Sequence, residues 1–241
     1  MEHFGSIATW RDKTVKGDVE SEADRGSERI IVDGLRAAFP DDAIMTEEHP
    51  DARPGENGRI WIVDSLDGSR NFVLGVPLFG ISIGLIEHNE AKFGMIYFPV
   101  FDHLYWAERG MGAYGNGKRL SVNSESSLDQ AMVSVAAIYQ QGIDMALVHR
   151  IDERLRTHDA WDLNLGNLVL PLCYVAAGKY DGLVYLGACV WDVAAGILMI
   201  EEAGGLVTDL GGNPWNWQTH PGDIVAANKR FHQTMMTELL Q

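Results

Sequence analysis

The segment "WIVDSLDGSRNF", residues 61–72, ends an apolar run on two carboxylates, Asp64 and Asp67, with Ser65 and Leu66 between them and Gly68 directly after. A run that reads as a buried strand should not finish in paired negative charge unless something compensates it. Further carboxylates fall at the ends of other predicted elements: Asp24 in "DVESEAD", Glu47 and Glu48 in "TEEH", and Asp192 in "VWDVAAG". Hard divalent cations such as magnesium take oxygen ligands, and carboxylates gathered without neighbouring lysines suit such ions. Taken singly, each acid also has a plainer reading as a solvated loop residue or a helix cap. Asp192, just ahead of the apolar helix "VAAGILMIEEAGG", suits an N-cap. The Asp67-Gly68 step heads another short segment, where Gly68 and Ser69 can present backbone N–H groups to an anion. Cations beside an anion-binding turn suggest phosphate chemistry.

The elements that must position these acids are legible in the hydrophobic pattern. Over residues 27–39, Ile30, Ile31, Leu35, Ala38 and Phe39 recur with a helical period that stops before Pro40. "AIMTEEH" reads as a short strand running into an acidic loop, and "RIWIVDSLDG" as a strand ending in a turn, so both strands finish at carboxylates. β-rich segments follow, divided at Asn89-Glu90 and at the "YGNGK" turn, in the pattern of an antiparallel sheet. Beyond about residue 125 the runs "MVSVAAI", "LVLPLCYVAAG", "YDGLVYL", "VAAGILMIEEAGG" and "DIVAAN" alternate between strand-like and helix-like without a flexible linker. The expectation is two packed subdomains, an α+β half over residues 1–125 and an α/β half over 126–241 that supplies Asp192.

Composition narrows the partners. With 241 residues, 46% hydrophobic, the chain can bury a large core. Its formal net charge of -15, from 34 acidic against 19 basic residues, repels a nucleic-acid polymer. A small phosphate ester remains compatible if cations neutralise the site locally. Cys173 and Cys189 lack the spacing of a metal knuckle or redox pair and read as buried thiols. No apolar run reaches the roughly 18 residues of a membrane span, and the first residues lack a signal-like core, so a cytoplasmic location is expected.

Together these motifs resemble the inositol monophosphatase family of magnesium-dependent, lithium-sensitive phosphomonoesterases. That family's pattern has an acidic pair after a strand, then Asp-Pro-Ile-Asp-Gly-Thr with Asn-Phe close behind, and Trp-Asp before small residues near the C-terminus. Here "TEEH", "DSLDGSRNF" and "WDVAAG" stand in the same order, and the resemblance runs from Lys13 to about Asn228. It implies a layered αβαβα sandwich of the inositol monophosphatase and fructose-1,6-bisphosphatase type, and a homodimer. It also implies two or three magnesium ions held by Glu47, Asp64, the Leu66 carbonyl, Asp67 and Asp192, with Asp64 bridging two of them. Ser69 and Asp24 would orient the attacking water, Glu47 would share in catalysis, and the Gly68 and Ser69 N–H groups would hold the phosphate. Lys13 matches a lysine on a mobile loop that closes over the site.

Departures from the pattern bear on the substrate. Ser65 stands where the family has proline, and Ser69 where it has threonine, keeping the hydroxyl. Tyr185 stands where inositol-specific members carry a glutamate, removing a charge-assisted hydrogen bond of about 1.5–3 kcal/mol to a ring hydroxyl. The wall around the leaving group is expected at "LNLGN", residues 163–167, with Gly166, Asn167 and Tyr185 as candidate substrate contacts. His158 reads as a surface residue, and Trp215 and Trp217 as loop packing. The segment ahead of Lys13 is shorter than the family's first helix, so apolar surface on the following helix is expected to be exposed or covered by a neighbouring subunit. Candidate substrates are small phosphorylated metabolites: inositol phosphates, fructose 1,6-bisphosphate, 3'-phosphoadenosine 5'-phosphate and histidinol phosphate. The alternative is a non-catalytic metal-binding or regulatory homologue. A calcium module fits less well, because its ligands would come from one short segment.

Overall fold

The computed structural model describes residues 4–5, 10–12, 19–137, 143–219 and 221–240. An antiparallel ribbon, β1 (Trp10–Asp12) and β2 (Val19–Ser21), leads into α1 (Glu22–Ala38). Then come β3 (Ala43–Thr46), β4 (Arg59–Asp67), the short α2 (Ser69–Val73), β5 (Gly80–Glu87), β6 (Glu90–Phe98), β7 (His103–Glu108), β8 (Gly112–Gly115) and β9 (Lys118–Arg119). The chain continues with β10 (Met132–Ala137), α3 (Met145–Thr157), β11 (Trp161–Asp162), α4 (Val169–Ala176) and β12 (Gly182–Ala188). It closes with α5 (Val190–Glu202), β13 (Gly205–Thr208), β14 (Gly222–Asn228), α6 (Lys229–Thr234) and a π-helical turn, Met235–Leu239.

Strands β3 to β9 form one seven-stranded sheet in sequence order, parallel at β3–β4 and antiparallel thereafter. Its hairpins turn where the sequence allows left-handed backbone: His88 and Asn89 at φ 50° and 66°, Asn116 and Gly117 at 48° and 75°. The second sheet has five strands in the order β11-β10-β12-β14-β13 and is also mixed.

Helix α5 lies between the two sheets, packing on β4 through β8 on one side and on β13 and β14 on the other, with α4 alongside. It is apolar nearly all round, as a helix buried on both faces must be. Its approach to the first sheet requires Gly94, where a Cβ would stand 2.7 Å from Ala195 Cα. The far face of the five-stranded sheet is covered by α3 and the C-terminal helices: Leu147, Ile151, Leu155, Phe231 and Met235 pack with Val184, Leu186 and Val225. Helix α1 covers β4 from outside. The result is a five-layered αβαβα sandwich.

Two local expectations are revised, and one helix is added. Helix α1 begins at Glu22, eight residues before Ile30, where the apolar period starts. Ser21 caps it, accepting the Ala23 N–H at 3.2 Å, while Asp24 accepts the Ser21 N–H at 2.8 Å. Asp192 is not an N-cap; Cys189 holds that position, and Asp192 lies inside the first turn of α5, accepting the Cys189 N–H at 2.8 Å. Helix α3 goes beyond the sequence reading: its buried residues, Leu147, Ile151 and Leu155, stand four apart with charged residues among them. On the outer side of α1, Ile30 is 73% exposed while Val32 faces inward. No helix among the described residues is long and apolar enough to cross a membrane.

Candidate active site

The centre of the site is the end of β4. Asp64 pairs with Ser82 and Asp67 with Gly80, so three steps along β4 match two along β5, and a bulge holds the extra residue. In a regular strand, residues three apart point to opposite faces. The bulge puts Asp64 and Asp67 on the same side. The parallel register of β3 with β4 sets Thr46 beside Val63, which brings Glu47, next along the chain, to Asp64. Glu47 begins a turn closed by backbone bonds between Thr46 and His49. Asp192 arrives from the first turn of α5.

Asp64 is 3% exposed, and burial raises its carboxyl well above the usual range. The charges of Glu47, Asp67 and Asp192 raise it further, opposed by the Leu66 N–H, which donates to Asp64 Oδ1 at 2.9 Å. Asp67 is pushed up to about 7, by burial first, with the Leu168 and Val169 N–H groups pulling it back and Glu47 adding to the rise. Those N–H groups donate to its carboxylate at 3.1 and 3.2 Å.

Next to the acids stands a hydroxyl–carboxylate pair. Ser69 Oγ donates to Asp24 Oδ1 at 2.5 Å and lies 2.9 Å from the Leu66 carbonyl. Asp24 also accepts both the N–H and the hydroxyl of Ser21. Ser21 was not identified from the sequence, although its spacing to Asp24 is that of a capping box. Gly68, the residue ahead of α2, has φ 84°, and a Cβ there would lie 2.9 Å from Leu78 O. Glycine is the residue that fits.

The candidate wall divides. Gly166 is exposed at φ 71°, and Asn167 is buried with its amide donating to Leu78 O at 3.3 Å. Tyr185 is fully buried, its hydroxyl donating to Leu168 O at 2.9 Å, so it backs the wall and offers no surface to a ligand. His158 faces Asp129 across 2.8 Å, and Trp217 packs in the main core. Glu48 is exposed beside Glu47. Lys13 lies outside the described residues.

The donor chemistry suits a divalent cation: oxygen ligands from separate elements meet around a buried carboxylate that carries repulsion from three others. Among the described residues, no three His, Cys, Asp or Glu side chains are gathered tightly enough to hold an ion as they stand. Asp67 and Asp192 turn oxygens to backbone N–H groups. A carboxylate has about four lone-pair positions, so Asp67 keeps capacity for an ion beside its backbone donors.

Fold and site together define a layered αβαβα sandwich with an acid-lined centre. The chain belongs to the inositol monophosphatase family, whose model matches residues 1–241. It is 36% identical over 218 residues to a "Fructose-1,6-bisphosphatase/inositol-1-monophosphatase" of Thermotoga maritima, covering 90% of this chain and 81% of the relative. It is 35% identical over 231 residues to a protein named "Nus factor SuhB" from Haemophilus influenzae, covering 95% and 85%. The solved structure of extragenic suppressor protein suhB from Bartonella henselae superposes with a TM-score of 0.90 at 32% identity, covering 99% of this chain and 91% of that one.

Proposed function

We propose that this chain is a magnesium-dependent phosphomonoesterase acting on a small phosphorylated metabolite. The observation that carries the reading is Asp64, buried among Glu47, Asp67 and Asp192, beside the Ser69–Asp24 pair. Glu47, Asp64, the Leu66 carbonyl, Asp67 and Asp192 would hold two or three ions. Magnesium there would neutralise the ester dianion and lower the pKa of the attacking water.

The chain's own groups do the positioning. A water against Ser69 Oγ donates to it while Ser69 donates to Asp24 Oδ1, so Asp24 orients the pair and receives the proton. The Ser21 donors hold Asp24 in place for that task. Gly68 and Ser69 N–H groups, at the start of α2 and not used within it, receive the phosphate oxygens. The close approach of backbone at Gly68 depends on its lack of a side chain. No covalent protein nucleophile is required.

Family resemblance supports a homodimer, lithium sensitivity and a cytoplasmic location as parts of the same reading. The relative named as a Nus factor favours a second one, a regulatory role with the fold retained. Phosphate release from inositol 1-phosphate, fructose 1,6-bisphosphate, 3'-phosphoadenosine 5'-phosphate and histidinol phosphate, with magnesium and then EDTA, separates the two. The first reading expects EDTA-sensitive turnover concentrated on one ester and lost in Ser69→Ala by about 10²-fold or more. Magnesium binding without turnover of any ester would sink it and favour the second.

A further inference from the structure

Segment 165–169 crosses from the second half of the molecule onto the catalytic turn of the first, and its backbone is gripped from three directions. Asn71, inside α2 and two residues beyond Ser69, donates from Nδ2 to Leu165 O at 2.9 Å and to Leu78 O at 2.6 Å, with Gly166 O at 3.3 Å. Asp67 accepts the N–H groups of Leu168 and Val169. From behind, the Tyr185 hydroxyl donates to Leu168 O at 2.9 Å. The turn itself is shaped by Asn164, whose Oδ1 accepts the Gly166 N–H at 3.0 Å. At Gly166 a Cβ would stand 3.0 Å from Asn71 Oδ1, so the two surfaces are in close contact.

We infer that Asn71 is a positioning residue for substrate selectivity: it ties segment 165–167 to the catalytic turn so that the leaving group meets a preset backbone wall. An amide nitrogen has two hydrogens, and here they reach one carbonyl from each half of the molecule. Asn71 therefore fixes the distance between the chemistry at Ser69 and the surface at Gly166. Tyr185 completes the arrangement. With a buried tyrosine on this strand, the leaving group faces the exposed backbone at Gly166 in place of a charged acceptor.

The inference rests on the phosphatase reading, and the test separates them. Asn71→Leu keeps the volume and removes the donors; Asn71→Ser is a smaller second variant for the case in which the first does not fold. Kinetics are compared on inositol 1-phosphate and on methyl phosphate, whose leaving group is too small to reach the wall. The expected result is a KM for inositol 1-phosphate raised about tenfold with kcat within about threefold of the parent, and methyl phosphate kinetics within about threefold throughout. Equal losses on both esters, or none on either, would overturn it. If the parent chain hydrolyses neither of these two nor any other ester of the panel with magnesium, the phosphatase reading fails. Hydrogen exchange across residues 161–168 then decides the positioning role: faster exchange in the variants supports it, and unchanged exchange overturns it.

Discussion

At Asp64, burial and the charges of Glu47, Asp67 and Asp192 all oppose the ionised form. Asp64→Asn keeps an oxygen for the Leu66 N–H and removes one of the repelling charges. Without metal this variant is expected to melt a few degrees above the parent, about 1 kcal/mol, while phosphate release falls by about 10³-fold. Thermal melts in EDTA beside magnesium assays check both halves; a less stable variant would mean that the acids are already compensated. Asp67 gives the pH dependence. Its ordinary value is 3.8 and its folded value about 7, so between them the folded chain holds a proton that the unfolded chain lacks. That contribution is full below the unfolded value and is lost as pH rises through about 7. Magnesium takes the proton's place, so the rise in melting temperature on adding it should be larger at pH 8 than at pH 6. Equal shifts at the two pH values would refute this. The acids themselves were legible in the sequence because strands should not end in unpaired charge. Burial of Tyr185 was not, since "VYLGACVWD" shows no alternation that separates a pocket lining from a core, and β12 has an irregular register between Tyr185 and Ala188.

Helix α5 carries Asp192 at one end and two carboxylates, Glu201 and Glu202, at the other, where the helix dipole disfavours negative charge. Arg109 answers them, at 2.7 Å from Glu201 and 3.6 Å from Glu202, and Glu202 also accepts the Gly110 and Gly112 N–H groups at 2.9 Å. Arg109→Ala is expected to lower stability by about 1–2 kcal/mol in urea denaturation, with magnesium affinity little changed, because the loss is at the end away from the site. Gly94→Ala acts along the length of the helix. Its Cβ would collide with Ala195 Cα at 2.7 Å and O at 2.8 Å, so α5 must shift and carry Asp192 with it. Stability should fall by about 1–3 kcal/mol and magnesium affinity with it, measured by calorimetric titration. The helix was legible as an apolar run. Its place between two sheets was not, because continuous apolarity says that an element is buried without saying what buries it. Helix α3 shows the opposite limit: Leu147, Ile151 and Leu155 share a face, but the charged residues between them hide the period.

Over the whole molecule, the division into residues 1–125 and 126–241 that the composition shift suggests is a proposal about sequence more than about independent folding. The seven-stranded sheet belongs to the first part, yet its inner face is covered by α5 from the second. Residues 1–125 expressed alone should therefore remain without fixed tertiary packing, with weak near-ultraviolet dichroism, whereas the full chain should unfold in a single transition seen alike by near- and far-ultraviolet signals. Two separated transitions would show that the halves stand alone. The bulge in β4 sets a different kind of constraint. Because one extra residue between Asp64 and Asp67 keeps both acids on one side, the position of Ser65 tolerates a change of identity far better than a change of length. Among descendants of this sequence, substitutions at Ser65 should cost only its hydroxyl's bond to Asp24 O at 3.2 Å, while deletions or insertions there would turn one acid to the opposite face and be removed by selection.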